Sequence, residues 1–405
     1  MKILFLTDNF PPEVNAPANR TYEHCREWVK EGVEVTVITC VPNFPKGKVY
    51  EGYKNKWKQE EVIDGIRVIR VWSYITKNEG FVKRILDYIS YSITSFFAGL
   101  FIKTDVIIAT SPQFFTALSG RWLHFFIRAP WIMEVRDLWP ESIVAVGAMK
   151  KGKAIQFFEW LEKRLYKSSN QIVVVTDAFK KKIIEKGITE NKIKVHKNGV
   201  NLEKFNPRDK DKELADKLNL NDKTIFAYIG THGMAHGLDF ILNSIGEFEK
   251  THPEFHFLFI GDGAERKKLL KLNEKLRLTN TTFVSSVTKE EVPRYLSIMD
   301  VALVNLRKSD TFKTVIPSKI FEAAAMHKPI LLGLQGETEG IIKNYSAGVT
   351  FEPENKRDFI KSALKIVDQD NYHTYQEGCQ HLAKDFDRKK IAAEMLSSVK
   401  ECINK

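Results

Sequence analysis

Pro317-Ser318-Lys319 stands three residues before Glu322, inside the run TVIPSKIFEAAA at 314–325. Ile316, Ile320 and the alanines at 323–325 give this run an apolar helical face, and KPILLGL follows it like a buried strand. Proline suits a first helical position because its missing N–H would have no intrahelical partner there. The free N–H groups of the first turn and the positive end of the helix make an anion site. Ser318 adds a hydroxyl and Lys319 a full positive charge. Glu322, about one turn deeper, would repel a phosphate at the tip but could accept two hydrogen bonds from a vicinal diol. A nucleoside diphosphate offers both parts, pyrophosphate and ribose hydroxyls. The same spacing also suits a plain surface lysine–glutamate pair, worth about a few tenths of a kcal/mol.

Two glycine-rich loops point the same way. GTHGMAHGL (230–238) follows one apolar strand and opens a helix, and GDGAER (261–266) follows the next strand. Glycines at strand ends let backbone approach a ligand closely. Near the amino end, TDNFPPEVNAPANR (7–20) follows the first strand, and its small residues Asn15, Ala16 and Ala18 leave room for a helix tip to approach. The cysteines, at 25, 40, 379 and 402, form neither a CxxC nor a Cys/His spacing, so neither a zinc site nor a disulfide framework is indicated. DKD (209–211) and DQD (368–370) read as solvated charge, and no metal is expected.

These loops need a scaffold, and the chain is long enough for two. Its 405 residues exceed one comfortable core, with 43% hydrophobic and 28% charged residues. Short apolar strands (KILFLT, VEVTVITC, VIIAT, WIMEV, QIVVVT, KIKVH) alternate with helical segments, the mark of a parallel sheet covered on both faces. Ser111-Pro112 reads as a helix cap followed by a first-position proline. Residues 198–223 are polar and read as a linker; alternation then restarts with TIFAYIG, FHFLFIG, TTFV, DVALVNL and KPILLGL. The expected division is an N-terminal domain at 1–197, completed by a terminal helix at 385–405, and a C-terminal domain at 224–384. Ligands of such sheets bind beyond the strand carboxyl ends, here in a cleft between the domains. Met1 leads straight into a strand, so no secretory leader is expected, and a reducing cytoplasm fits.

The formal charge is +11, and residues 150–197 hold 13 Lys/Arg against 5 Asp/Glu. That face is either simply solvated or meets an anionic lipid or substrate; no RNA-binding or zinc-finger signature supports nucleic acid. The segment FVKRILDYISYSITSFFAGLFIK (81–103) has an apolar arc widened by Ile93, Phe97 and Phe101, with basic residues at both ends. It reads either as core or as a helix lying in a bilayer surface.

In order along the chain, FPPE (10–13), RDLWPES (136–142), VTDAFKKKI (175–183), NGVNLEKF (198–205), GDGAER and PSKIFEAAAMHKPIL resemble glycosyltransferase family 4. The resemblance implies a GT-B fold, two Rossmann-like doubly wound α/β domains facing a central cleft. FPPE…NR, RDLWPES and GTHGxAxGL are most similar to transferases of capsule and O-antigen assembly, some of them assigned to N-acetyl-L-fucosamine. The resemblance places the donor nucleotide on Gly230, Thr231, His236, Gly261, Gly263, Ile316, Pro317, Ser318, Lys319 and Glu322, with Glu322 as the ribose ligand. It places Glu13, Asn15, Ala16, Arg20 and Arg136 on the acceptor side, and Asp137 and His236 in catalysis. Four positions depart from the family pattern. Thr231 and His236 stand where an arginine and a lysine are frequent, Thr314 where the first of two paired glutamates is, and Arg136-Asp137 where His-Asp is. His236 is accordingly expected to be neutral when free and to gain a proton when UDP binds.

The resulting expectation is a metal-independent, cytoplasmic enzyme at the inner membrane surface. It would move an N-acetylated deoxyhexosamine from a UDP-sugar to a lipid-pyrophosphate-linked glycan. A non-hydrolysing UDP-sugar epimerase of the same fold is the rival enzyme. A basic membrane-binding module is the rival without activity, and it leaves Lys319 and Glu322 unexplained.

Overall fold

The computed structural model describes residues 1–44, 46–76, 81–111, 114–145 and 152–404. The chain divides into two compact units: Met1–Asn198 with Arg388–Lys405, and Gly199–Asp387. Each is built on one twisted sheet.

Unit 1 has eight strands: β1 (Lys2–Leu6), β2 (Glu34–Cys40), β3 (Lys58–Ile63), β4 (Ile66–Val71), β5 (Val106–Thr110), β6 (Trp131–Val135), β7 (Gln171–Val174) and β8 (Ile193–Val195). Their order is β3-β4-β2-β1-β5-β6-β7-β8, parallel except for β3 against β4. β5, β6 and β7 are buried along their whole length, as strands covered on both faces must be. The β3–β4 hairpin is absent from the strand reading of the sequence, though Asp64-Gly65 announces it. Both residues have positive φ, 47° and 78°, which two-residue hairpin turns require. Pro112 lies outside the described residues; the helix after it spans Thr116–Ile127.

The terminal helix Arg388–Ile403 belongs to unit 1. Ala392, Met395, Leu396, Val399 and Cys402 join the core beneath β1 and β5. The Trp28 indole donates to Ala392 O at 2.8 Å, and Arg388 pairs with Glu23.

Among the described residues unit 2 has six parallel strands: β9 (Thr224–Ile229), β10 (Phe255–Ile260), β11 (Thr281–Val284), β12 (Val301–Asn305), β13 (Ile330–Gly333) and β14 (Gly348–Thr350). The order is β11-β10-β9-β12-β13-β14, which reverses direction between β9 and β12, the position where doubly wound sheets bind ligands. The polar stretch after Asn198 contributes to this unit: Leu214, Ala215 and Leu220 are buried in its core.

Candidate nucleotide-sugar site

The carboxyl ends of β9 and β10 are joined backbone to backbone. Gly230 N donates to Ile260 O and His232 N to Asp262 O, both at 2.8 Å. Gly261 has φ 140°, and a Cβ there would sit 1.9 Å from Gly230 O, so only glycine permits this approach. A Cβ on Gly230 would strike the Lys319 ammonium at 2.4 Å. The glycines thus create room in which Lys319 lies against bare backbone.

The helix carrying Lys319 is shorter than the sequence suggests. It spans Lys319–Ala325, with Ser318 as its helical-region N-cap and Pro317 outside. Its entry is a tight turn: Ile320 N bonds to Pro317 O and Phe321 N to Ser318 O, a 3₁₀ pattern. Buried Ile316 anchors the approach. With two turns of helix, the dipole is a small part of the site's charge and Lys319 the larger.

Lys319 Nζ lies 3.8 Å from the centre of the Tyr228 ring, an electrostatically favourable seat for a cation. Among the described residues it forms no ion pair. Burial lowers its pKa to about 7, and Glu322 opposes that shift. His236, whose ring stands 5.7 Å from Tyr228, is held at about 4 by burial and then by Lys319, while a hydrogen bond to the Asn305 carbonyl works the other way. Asn305 in turn donates to His236 O at 2.8 Å.

His232, which the sequence reading does not single out, completes the group. It is fully buried, neither ring nitrogen has a hydrogen-bond partner among the described residues, and burial holds its pKa at about 4, helped by Arg266 and Lys319. No residue pattern marks it in the sequence beyond its place in a glycine-rich loop. Thr231 is exposed, while Gly263, Ser318 and Glu322 are half-buried around the same strand ends. The arrangement gathers Lys319, Arg266 and two neutral imidazoles around glycine backbone. Chemically, this is positive charge and potential hydrogen-bond donors set beside bare backbone, an arrangement suited to an anion.

In unit 1 the expected acceptor-side residues separate into two groups. Arg20 is buried, pairing with Glu134 at 3.0 Å and donating to Lys197 O, Asn198 Oδ1 and His196 O. It ties the segment after β8 to the first helix. Glu13 is also buried, accepting from Asn43 N and Phe44 N at 2.8 Å each. Asn15 caps the helix Ala16–Lys30 by accepting from Ala18 N. These three hold the fold together. Arg136 and Asp137 instead lie half-buried just past β6. The Arg136 guanidinium reaches Pro17 O and Ala16 O at 3.2 Å, and burial brings its pKa down to about 10. Burial raises the Asp137 carboxyl, against a 2.8 Å hydrogen bond from Ser142.

Comparison with known proteins agrees with this layout. Residues 15–199 match the glycosyl transferase 4-like domain, and residues 209–380 match the glycosyl transferases group 1 family. WcaI of Escherichia coli (strain K12), provisionally described as a colanic acid biosynthesis glycosyl transferase, is 24% identical over 99% of this chain and 100% of its own. TuaH of Bacillus subtilis (strain 168), provisionally described as a teichuronic acid biosynthesis glycosyltransferase, is 26% identical over 63% of each chain. Among solved structures, sucrose-phosphate synthase from Thermosynechococcus elongatus aligns with TM-score 0.78 at 15% identity, over 99% of this chain and 98% of its own. Anabaena HepE in complex with UDP and glucose aligns with TM-score 0.73 at 15% identity, over 99% and 100%. The fold is GT-B.

Proposed function

We propose that this chain, built of a glycosyl transferase 4-like domain and a glycosyl transferases group 1 domain, moves a sugar from a UDP-sugar bound by unit 2 to a lipid-linked glycan acceptor served by unit 1. The product would be a surface polysaccharide such as capsule or O-antigen. One observation carries this reading: the Lys319 ammonium, half-buried on Tyr228 and against Gly230, without an ion-pair partner among the described residues. A buried cation is costly unless paired, and a diphosphate would supply the missing charge.

UDP is the favoured nucleotide because HepE was solved with UDP and with UDP-glucose; Glu322 suits the ribose hydroxyls that any nucleoside diphosphate carries. A surface polysaccharide is favoured by the descriptions of WcaI and TuaH. As the sugar–oxygen bond breaks, charge grows on the departing diphosphate. Lys319 would stabilise it there; His236, whose neutral ring gives its one N–H to the Asn305 carbonyl, would add a donor only once protonated. Asp137, its carboxyl raised by burial, is the group assigned to the acceptor hydroxyl. The donor sugar is proposed to be an N-acetylated deoxyhexosamine such as N-acetyl-L-fucosamine, and the reaction to need no metal. Among the described residues no helix is long and apolar enough to cross a membrane, and peripheral attachment to the inner face of the cytoplasmic membrane is part of the proposal.

A panel of nucleotide sugars, read as protection against thermal unfolding, tests it, because a ligand that binds only the native state stabilises it. UDP and at least one UDP-N-acetylhexosamine should raise the melting temperature, and GDP- and ADP-sugars should not. Protection by none of the uridine nucleotides would sink the reading.

A further inference from the structure

An apolar groove of about 610 Å³ lies on unit 1, walled by the helices Phe81–Gly99, Thr116–Ile127 and Lys153–Ser168. Ile89, Phe96, Leu118 and Phe158 line its depth. Phe97, Trp122, Phe126 and Phe157 stand at its rim, each more than half exposed. Among the described residues Ser92 brings the one hydroxyl of the lining, and that hydroxyl donates to Phe115 O at 2.8 Å. The groove therefore offers hydrocarbon contact with almost no hydrogen bonding. Water-exposed apolar surface on this scale marks a binding site, and the volume falls in the usual range for a ligand pocket.

Two features say what fills it. The groove wall is packed against the acceptor-side segment: the Phe158 ring lies 4.7 Å from buried Trp139, and Trp139 packs on Phe114 and Phe115. Trp139 lies two residues beyond Asp137, on the segment that leaves β6 with Arg136. The second feature is charge. The three helices carry seven Lys/Arg against three Asp/Glu. Glu162 is engaged by Lys186, and Arg164 stands 4.7 Å over the Trp160 ring.

We infer that this groove binds the hydrocarbon tail of a lipid-phosphate acceptor, with the anionic head toward Arg136. Arg136 bonds two backbone carbonyls and has N–H donors to spare. This rests on the reading that the acceptor is lipid-linked, and it adds where the lipid is held.

The test titrates the full chain with farnesyl diphosphate and with inorganic diphosphate, following tryptophan fluorescence and calorimetry. Leu118→Trp fills the groove. Phe126→Ser alters only the exposed rim and spares the fold. Farnesyl diphosphate should bind at least about tenfold more tightly than inorganic diphosphate, since burying its hydrocarbon chain adds hydrophobic affinity that the inorganic ion lacks. Both variants should lose on the order of tenfold for the farnesyl compound and keep wild-type affinity for inorganic diphosphate and UDP. Equal farnesyl diphosphate affinity in wild type and both variants would overturn the inference. So would binding only to phosphatidylglycerol vesicles, which would make the face a bilayer contact. A concentration-dependent dimer abolished by Phe126→Ser would overturn it too and assign the face to a second copy. Retained UDP binding in these failures leaves the sugar-transfer reading standing. Loss of UDP binding by the wild type would remove that reading without touching the groove measurement.

Discussion

On the proposed reading, Lys319 is the residue whose charge state matters most at the site. Its pKa of about 7 in the free protein makes it, rather than His236 at about 4, the group poised to titrate when an anion arrives. The groups coupled to it are Tyr228, His232, His236 and Glu322, and a bound diphosphate would outweigh Glu322. A nearby negative charge favours the ammonium, so the pKa of Lys319 should rise on UDP binding. The sign follows from linkage. Well below pH 7 the lysine is charged in both states and contributes no pH dependence. From about 7 up to the bound-state pKa, binding takes up a proton and UDP affinity falls, by at most about tenfold per pH unit. Calorimetry at pH 8 in two buffers of different ionisation enthalpy counts that proton. Uptake that vanishes in Lys319→Ala and persists in His236→Ala is the expected result; the reverse would assign the proton to His236, as the position-by-position resemblance suggests. The sequence shows a lysine at a helix start but not its burial, which comes from Tyr228, ninety-one residues earlier.

At the scale of elements, the glycine-rich turns bind β9 and β10 into one platform, which a pair of substitutions tests. Gly261→Ala would drive a Cβ into Gly230 O, whereas Gly340, inside the helix Glu337–Tyr345, has nothing within 4 Å. Gly261→Ala should cost about 3 kcal/mol or more, beyond most point changes, and should weaken UDP binding. Gly340→Ala should be neutral or gain up to about 1 kcal/mol from helix propensity. Urea denaturation of both variants measures this, and a Gly261→Ala protein as stable as wild type would mean that the loops part easily. The strands on both sides of this platform are legible in the sequence because each is a short apolar run ended by glycine or a polar cap. The β3–β4 hairpin is less so, because alternation in KQEEVI is weak and its outer face is polar. The helix at 319 looks longer in sequence than it is: the apolar periodicity continues through Ile316, which packs into the core from an extended approach. Arg20 and Glu13 read as site residues because the family resemblance places them on the acceptor side. In the folded chain their partners, Glu134 and the backbone of Asn43 and Phe44, lie far along the sequence or in a loop with no pattern of its own.

For the whole molecule, two doubly wound units with a terminal helix returned to the first give the GT-B plan, and the ordered motifs made that plan readable from the sequence alone. The identities of sugar and acceptor are less readable, since they depend on a few side chains rather than on the plan. Transfer is predicted to survive excess EDTA, because the proposed charge stabilisation comes from Lys319 and, once protonated, His236. Turnover lost to EDTA and restored by Mg²⁺ or Mn²⁺ would contradict that. The central claim is that unit 2 holds a nucleoside diphosphate between Lys319 and Glu322, and calorimetric titration of UDP tests it most directly. Lys319→Ala and Glu322→Ala should each weaken binding about 10–100-fold, the loss of a charged hydrogen bond worth about 1.5–3 kcal/mol, while Arg67→Ala, at the surface of unit 1, should leave it unchanged. Wild-type affinity in both site variants would place the nucleotide elsewhere and contradict the account.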